Sequence, residues 1–154
     1  MPGSAPTWHI LHPMRRGATL IELLLVLTVM GLLFAIVLPR FATLADGLAV
    51  EEAAQHLIGA HRRARITAIL ESRPVVLTIA PDSLVIRLGS AGPESWRASG
   101  PVADGVALAG GAKQIVFSPV GITTGLSNAS FQLTRGGARR TVVVSRLGRA
   151  RILP

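Results

Sequence analysis

A lone carboxylate in an otherwise unbroken apolar run is the first residue of this chain whose chemistry demands a reason. Between Arg16 and Arg40 lie 23 residues, and Glu22 is the only one of them with an ionisable side chain. Its innermost part, Ala18–Leu38, is 21 residues long. At about 1.5 Å per helical residue that is enough to cross roughly 30 Å of hydrocarbon. A carboxylate there costs about 2–3 kcal/mol or more, so it marks a functional position by default. With no second acid beside it, the chemistry open to Glu22 is pairing with a cation in a low dielectric. Near the Arg15–Arg16 end of the run it could also reach the headgroups or stay protonated.

Other residues could bind rather than react. After Asp104 there is no further acid, while Lys113, Arg135, Arg139, Arg140, Arg146, Arg149 and Arg151 supply seven cations. Such a set is either a solvated sheet surface or an anion-binding face. Arginine suits phosphate through its planar fork, and a cationic patch would hold DNA without sequence preference and with a strong salt dependence. An acidic partner subunit fits the same patch. Trp96 either packs back on its own domain or anchors a neighbour, tryptophan being favoured at binding centres. Aromatics make up only 4% of the chain, too few for a nucleic-acid binder that works by base stacking.

Catalytic constellations are hard to find. There is no cysteine, which removes thiolate metal sites, disulfides and cysteine nucleophiles together. His56 and His61 are five residues apart, about 140° around a helix, so they do not share a metal and read as exposed or partly buried helix residues. Glu51 and Glu52 point to different parts of a helix surface. No serine sits in a Gly-x-Ser-x-Gly elbow, and Gly110-Gly111 lacks the Lys-Ser/Thr of a phosphate loop. The chain reads as a non-enzyme without a cofactor or metal.

The elements that must position these residues follow from length and periodicity. With 154 residues, 49% hydrophobic and a net charge of +8, the chain has room for one domain and a spare element. Arg15 and Arg16 precede the apolar run, which keeps that end cytoplasmic. A cleaved secretory signal is the competing interpretation. The run is long for one, and Pro39-Arg40-Phe41 follows it without a small-x-small site. Beyond Pro39, Val50, Ala53, Leu57, Ala60, Ala64 and Ala68 recur at three- and four-residue steps, with Ile58 and Ile69 widening the stripe. This predicts an amphipathic helix over 39–73, ended by Arg73-Pro74. From Pro74 the period becomes two. Strands are expected at 75–79 and 84–88 about the turn Pro81-Asp82-Ser83, then at 106–109, 114–117, 130–134, 139–145 and 149–153. Residues 89–105 read as a loop around Trp96. Gly110-Gly111 and Gly136-Gly137 read as hairpin turns, which implies antiparallel pairing.

The string Arg15-Arg16-Gly17-Ala18-Thr19-Leu20-Ile21-Glu22-Leu23 resembles the processing site of type IV prepilins and type II secretion pseudopilins. The resemblance implies cleavage by a prepilin peptidase between Gly17 and Ala18, and methylation of the new N-terminus at Ala18. Alanine departs there from the commoner phenylalanine. It implies a leader over 1–17, a transmembrane and filament-core helix over 18–38, and helix bends at Gly31 and Pro39. It further implies that Glu22 pairs with the Ala18 amine of a neighbouring subunit during filament assembly. Residues 1–13 contain no Lys or Arg, and Met14-Arg15-Arg16-Gly17 is a self-sufficient basic leader, so translation starting at Met1 and at Met14 both stay open. Loss of Arg15 and Arg16 lowers the net charge from +8 to +6.

The second half carries a looser resemblance. Ile115-Val116-Phe117-Ser118-Pro119, Gly121, Gly125, Phe131-Gln132-Leu133 and Gly148-Arg149-Ala150-Arg151 look like the GspH/FimT branch of minor pseudopilins and minor pilins. The fold this implies is α+β, a long N-terminal helix packed on a C-terminal antiparallel β-sheet domain over 74–154. The implied function is that of a minor pseudopilin in the inner membrane with a periplasmic domain, assisting protein export in a type II secretion system. Other pseudopilins or pilins, the peptidase and the inner-membrane assembly platform are the implied partners. The alternative within the branch is a FimT-like minor pilin in pilus assembly or DNA uptake, with Arg135, Arg139, Arg140, Arg146, Arg149 and Arg151 as the DNA-binding candidates.

Overall fold

A computed structural model describes residues 19–125 and 129–154. The predicted processing residues Gly17 and Ala18 lie outside the described residues. One helix, α1, runs from Leu20 to Leu70. The chain divides into two compact units at Leu38/Pro39.

In the first unit α1 is capped by Thr19, whose hydroxyl accepts the Glu22 N–H at 3.3 Å. Thr19-x-x-Glu22 is the sequence form of a helix-start box, which explains locally why the helix begins here. From Leu20 to Leu38 every residue is exposed. The most apolar 18-residue stretch has a mean hydropathy of 2.8, and none of it is buried within the chain. An all-round apolar helix without a core of its own is made for a lipid or helical environment. The helix continues through Gly31 and Pro39, although proline removes one backbone donor there.

In the second unit α1 becomes one-sided. Val50, Ala53, Ala54, Leu57, Ile58, Ala60, His61, Ala64 and Ala68 are buried. Five of these buried positions are alanines, which allow the backbone close to the strands it covers. Ile69, expected to widen the stripe, is instead 45% exposed. The helix ends at Leu70, a turn earlier than the proline alone requires, and Ser72 takes a positive φ of 49° on the way out.

The strands form two antiparallel sheets. The first has the order β3-β2-β1-β5-β6, with β1 at Val75–Ile79, β2 at Ser83–Leu88, β3 at Glu94–Ser99, β5 at Lys113–Phe117 and β6 at Thr123–Thr124. The second has the order β4-β7-β8-β9, with β4 at Ala107–Ala109, β7 at Ala129–Arg135, β8 at Ala138–Val144 and β9 at Ala150–Leu153. The alternation in β1 sends Val75, Leu77 and Ile79 into the core, where Ile86, Phe117, Phe131 and Leu133 join the helix stripe.

Two expectations are corrected. Residues 89–105 are not a loop: they hold β3 and a short 3-10 turn at Pro101–Asp104. Among the described residues β3 pairs with β2 alone, so it is a half-exposed edge whose Ser, Arg and Glu content hides its alternation. Gly110-Gly111 is not a hairpin turn either. β4 pairs with β7 and β5 with β1, so these glycines carry the chain from one sheet to the other. Gly136-Gly137 does close a two-residue hairpin, with Arg135 opposite Ala138. Gly136 has a φ of 52°, and a methyl group there would collide with the Asp46 carboxylate. Both facts call for glycine.

Candidate functional site

The candidate residues fall on separate surfaces. Glu22 stands exposed in the first turn of α1, its backbone N–H held by Thr19. Gly31 and Pro39 are exposed along the same apolar helix.

The cations after Asp104 are divided by the fold. Arg135 Nε lies 3.0 Å from Asp46 Oδ1, and its Nη1 donates to the Asp104 carbonyl at 2.7 Å. Arg140 Nε lies 3.0 Å from Glu51 Oε2. The Glu51 carboxyl is held below its usual range by the Gln55 amide first and then by Arg140. These two arginines therefore tie the β7–β8 hairpin to the helix. Lys113 donates to the Ser130 carbonyl at 3.1 Å and lies over the Phe131 ring at 5.5 Å. Arg139, Arg146, Arg149 and Arg151 are exposed. Among the described residues they form no ion pair.

Arg149 and Arg151 do not stand alone. With Gly148, Ala150 and the helix residues His61, Arg62 and Arg65 they line a cleft of about 210 Å³. Arg65 Nη1 donates to the Gly148 carbonyl at 3.4 Å. Its Nε is buried and, among the described residues, without a hydrogen-bond partner. A methyl group at Gly121 would lie 3.0 Å from that Nε, so the Ser118–Ile122 turn crosses directly over it. Beneath the cleft, His61 is only 3% exposed, which corrects the expectation of an exposed or partly buried histidine. It falls four residues after Leu57 and three before Ala64, on the buried stripe itself. Its ring meets Phe117 edge-on at 5.0 Å and 74°, and among the described residues neither nitrogen has a partner. Burial, then the nearby Arg65 and Arg62, push its pKa down to about 4. At neutral pH it is an uncharged core side chain. His56 is exposed, so the two histidines are not brought together.

Trp96 is half-buried against the core from β3, with the Arg63 guanidinium 5.3 Å above its ring. It borders a groove of about 390 Å³ between helix residues such as Gln55 and Gly59 and the strand residues Leu84 and Ala98. Among the described residues no group of three or more His, Cys, Asp or Glu could hold a metal. The helix arginines were the part of the cationic surface that sequence reasoning missed. The run His61-Arg62-Arg63-Ala64-Arg65 was their only signal.

An exposed apolar helix start with one acid, running into a helix that covers antiparallel sheets, defines a pilin-like subunit. The chain belongs to the GspH family: residues 53–148 match the family described as Type II transport protein GspH. Residues 13–38 match the prokaryotic N-terminal methylation motif. The chain is 34% identical over 157 residues to the "Pilin-like protein PilA1" of Thermus thermophilus, covering 90% of this chain and 98% of that protein. The fold is that of the type IV minor pilin FimU of Pseudomonas aeruginosa. One crystal form has a TM-score of 0.59 at 18% identity, covering 68% of this chain and 88% of FimU. A second has a TM-score of 0.55 at 17% identity, covering 68% and 92%. These families are of structural, non-enzymatic subunits that assemble with other pilins or pseudopilins.

Proposed function

We propose that the chain is a minor pseudopilin of a type II secretion system. It is made as a prepilin, cut between Gly17 and Ala18 by a prepilin peptidase and methylated at Ala18. Residues 18–38 hold it in the inner membrane, with the helix over 39–73 and the β domain over 74–154 in the periplasm, until the assembly platform draws it into the pseudopilus. The observation that carries this reading is the first part of α1, apolar and exposed from Leu20 to Leu38, with Glu22 as its only charge. Cleavage would place an ammonium one helical turn from that carboxylate. In a low dielectric each charge is costly alone, and together they offset one another, so pairing between subunits favours assembly over simple membrane residence. Gly31 and Pro39 are where the helix would loosen as subunits pack.

Glu22→Ala tests this in cells. The variant is expected to stay in the membrane fraction while its incorporation into filaments falls by about tenfold or more. Normal incorporation would reject the role given to Glu22.

The clustering of Arg62, Arg65, Arg149 and Arg151 favours a second reading, a FimT-like minor type IV pilin that handles DNA. The name of the relative, a pilin-like protein, speaks for a pilus system, whereas the family description, a type II transport protein, speaks for a secretion one. Full-length protein in detergent, titrated with duplex DNA over a salt series, separates the two. Binding that weakens steeply with salt supports this second reading, and no binding at low salt removes it.

A further inference from the structure

The cationic cleft adjoins an apolar surface. Arg65 and Ile69 lie one helical turn apart, and both touch Gly121: a methyl group there would be 3.0 Å from Arg65 Nε and 2.9 Å from Ile69 Cδ1. Gly148 closes on the same spot, a methyl group on it falling 2.6 Å from the Gly121 carbonyl. The two turns that meet there carry Val120, 71% exposed, and Leu147, 64% exposed. On the helix side Ile66 and Ile69 are also exposed. A patch of large aliphatic side chains thus sits beside a niche lined by Arg62, Arg65, Arg149 and Arg151.

A surface built only to hold a phosphate backbone is rimmed by cations and polar groups, because its contacts are electrostatic. An apolar centre beside a small charged niche is instead the anatomy of a protein–protein interface, where exposed aliphatic side chains find a partner. The partner's charge follows from complementarity. Four arginines around a cleft of about 210 Å³ have room for a carboxylate. A second copy of this chain is a poor source of one. The net charge is +8, or +6 once Arg15 and Arg16 are lost, and no acid follows Asp104. Of its eight acids Asp46, Glu51, Glu71 and Glu94 already face arginines, which leaves Glu52, Asp82 and Asp104 beside the helix-start Glu22.

We propose that the Val120/Leu147 turns, the end of α1 and the Arg149–Arg151 edge together form a docking surface for a different subunit. That subunit presents an apolar face and an acidic side chain that enters the arginine niche. Arginine is suited to this role because its fork takes a carboxylate bidentately. Arg65 positions the site, since it supports Gly148 from the helix. The inference rests on the filament reading above, which a separate probe checks.

The test is photo-crosslinking in intact cells that assemble the filament, with a benzophenone amino acid placed at Leu147, at Ala107 as a control, and at Leu48 on the exposed helix face. The expected result is an adduct from Leu147 to a different pilin-like subunit, with none from Ala107. In R149E/R151E the Leu147 adduct should fall by about tenfold, and an acid-to-arginine change in the captured subunit should restore it. R149Q/R151Q should show a smaller loss in the same direction. An adduct to a second copy or to nucleic acid would overturn the proposal. So would an adduct indifferent to these charges, or none at Leu147 while Leu48 still cross-links. Absence at both positions would overturn the filament reading and the docking surface together.

Discussion

The two ends of α1 both carry apolar side chains and do opposite things with them. From Leu20 to Leu38 large aliphatic side chains point in all directions and bury nothing within the chain. From Val50 to Ala68 mostly small side chains occupy one stripe and are almost wholly buried. The first stretch keeps its apolar surface for something outside the chain, and the second uses its surface up inside. Hydrophobicity alone does not separate them. Side-chain size and angular spread do, because a helix that must lie close on a sheet needs alanine on one face, whereas a helix meant for lipid or other helices gains from bulk everywhere.

The largest expected contrast is in folding stability. Phe117 is fully buried and braces His61. Phe117→Ala should cost about 3–5 kcal/mol by removing core area and leaving a cavity. Leu27→Ala, in the exposed stretch, should leave stability within about 0.5 kcal/mol. Urea denaturation of the full chain in detergent micelles, followed through tryptophan fluorescence, reads both. Equal losses would mean that the first stretch has a core role the structure does not show.

Legibility divides along the same line. The apolar run with Glu22 was readable because composition and a contiguous motif carry it. The buried stripe was readable because a 3.6-residue period needs only local sequence, β7 because it alternates, and β1, β2 and β8 because their apolar, β-branched runs lie between turn residues. β3 was missed because an edge strand half in solvent carries little apolar alternation beyond Trp96 and Ala98. The Gly110-Gly111 error has a different cause: a glycine pair marks a reversal, but nothing local says that the next strand joins another sheet. The candidate site was the least legible. Arg65 and Gly148 are 83 residues apart, and only the fold places the helix arginines against the C-terminal edge. Even the pairing of Arg135 and Arg140 with Asp46 and Glu51 reduces a run of cations to a smaller free set.

A middle-sized effect should appear in the pH dependence of the buried half alone. His61 is buried neutral with a pKa of about 4, against 6.5 when unperturbed. Between these values the unfolded chain binds more protons than the folded one, so stability is full above about pH 6.5 and falls as pH drops toward 4. From pH 7.5 to pH 5 the loss should be about 2 kcal/mol. His61→Leu, which keeps the volume and removes the titration, should flatten that slope. An unchanged slope would assign the acid sensitivity to other groups.

The smallest effect lies where the exposed helix gives way to the buried one. Asp46–Arg135 and Glu51–Arg140 flank Val50, the first fully buried residue of α1, so they fasten the β7–β8 hairpin to the helix where packing begins. Their side chains are a quarter to two-fifths exposed, so solvent screens much of the attraction. A double-mutant cycle on Glu51→Gln and Arg140→Gln should give a coupling of about 0.3–1 kcal/mol, shrinking in high salt. The Asp46–Arg135 pair should couple more strongly than Glu51–Arg140. Arg135 also donates to the Asp104 carbonyl, and the Asp46 carboxylate rests against Gly136. If both couplings vanish, the boundary between the two halves of α1 is set by alanine packing alone, and the ion pairs serve only to neutralise arginines that would otherwise extend the cationic surface.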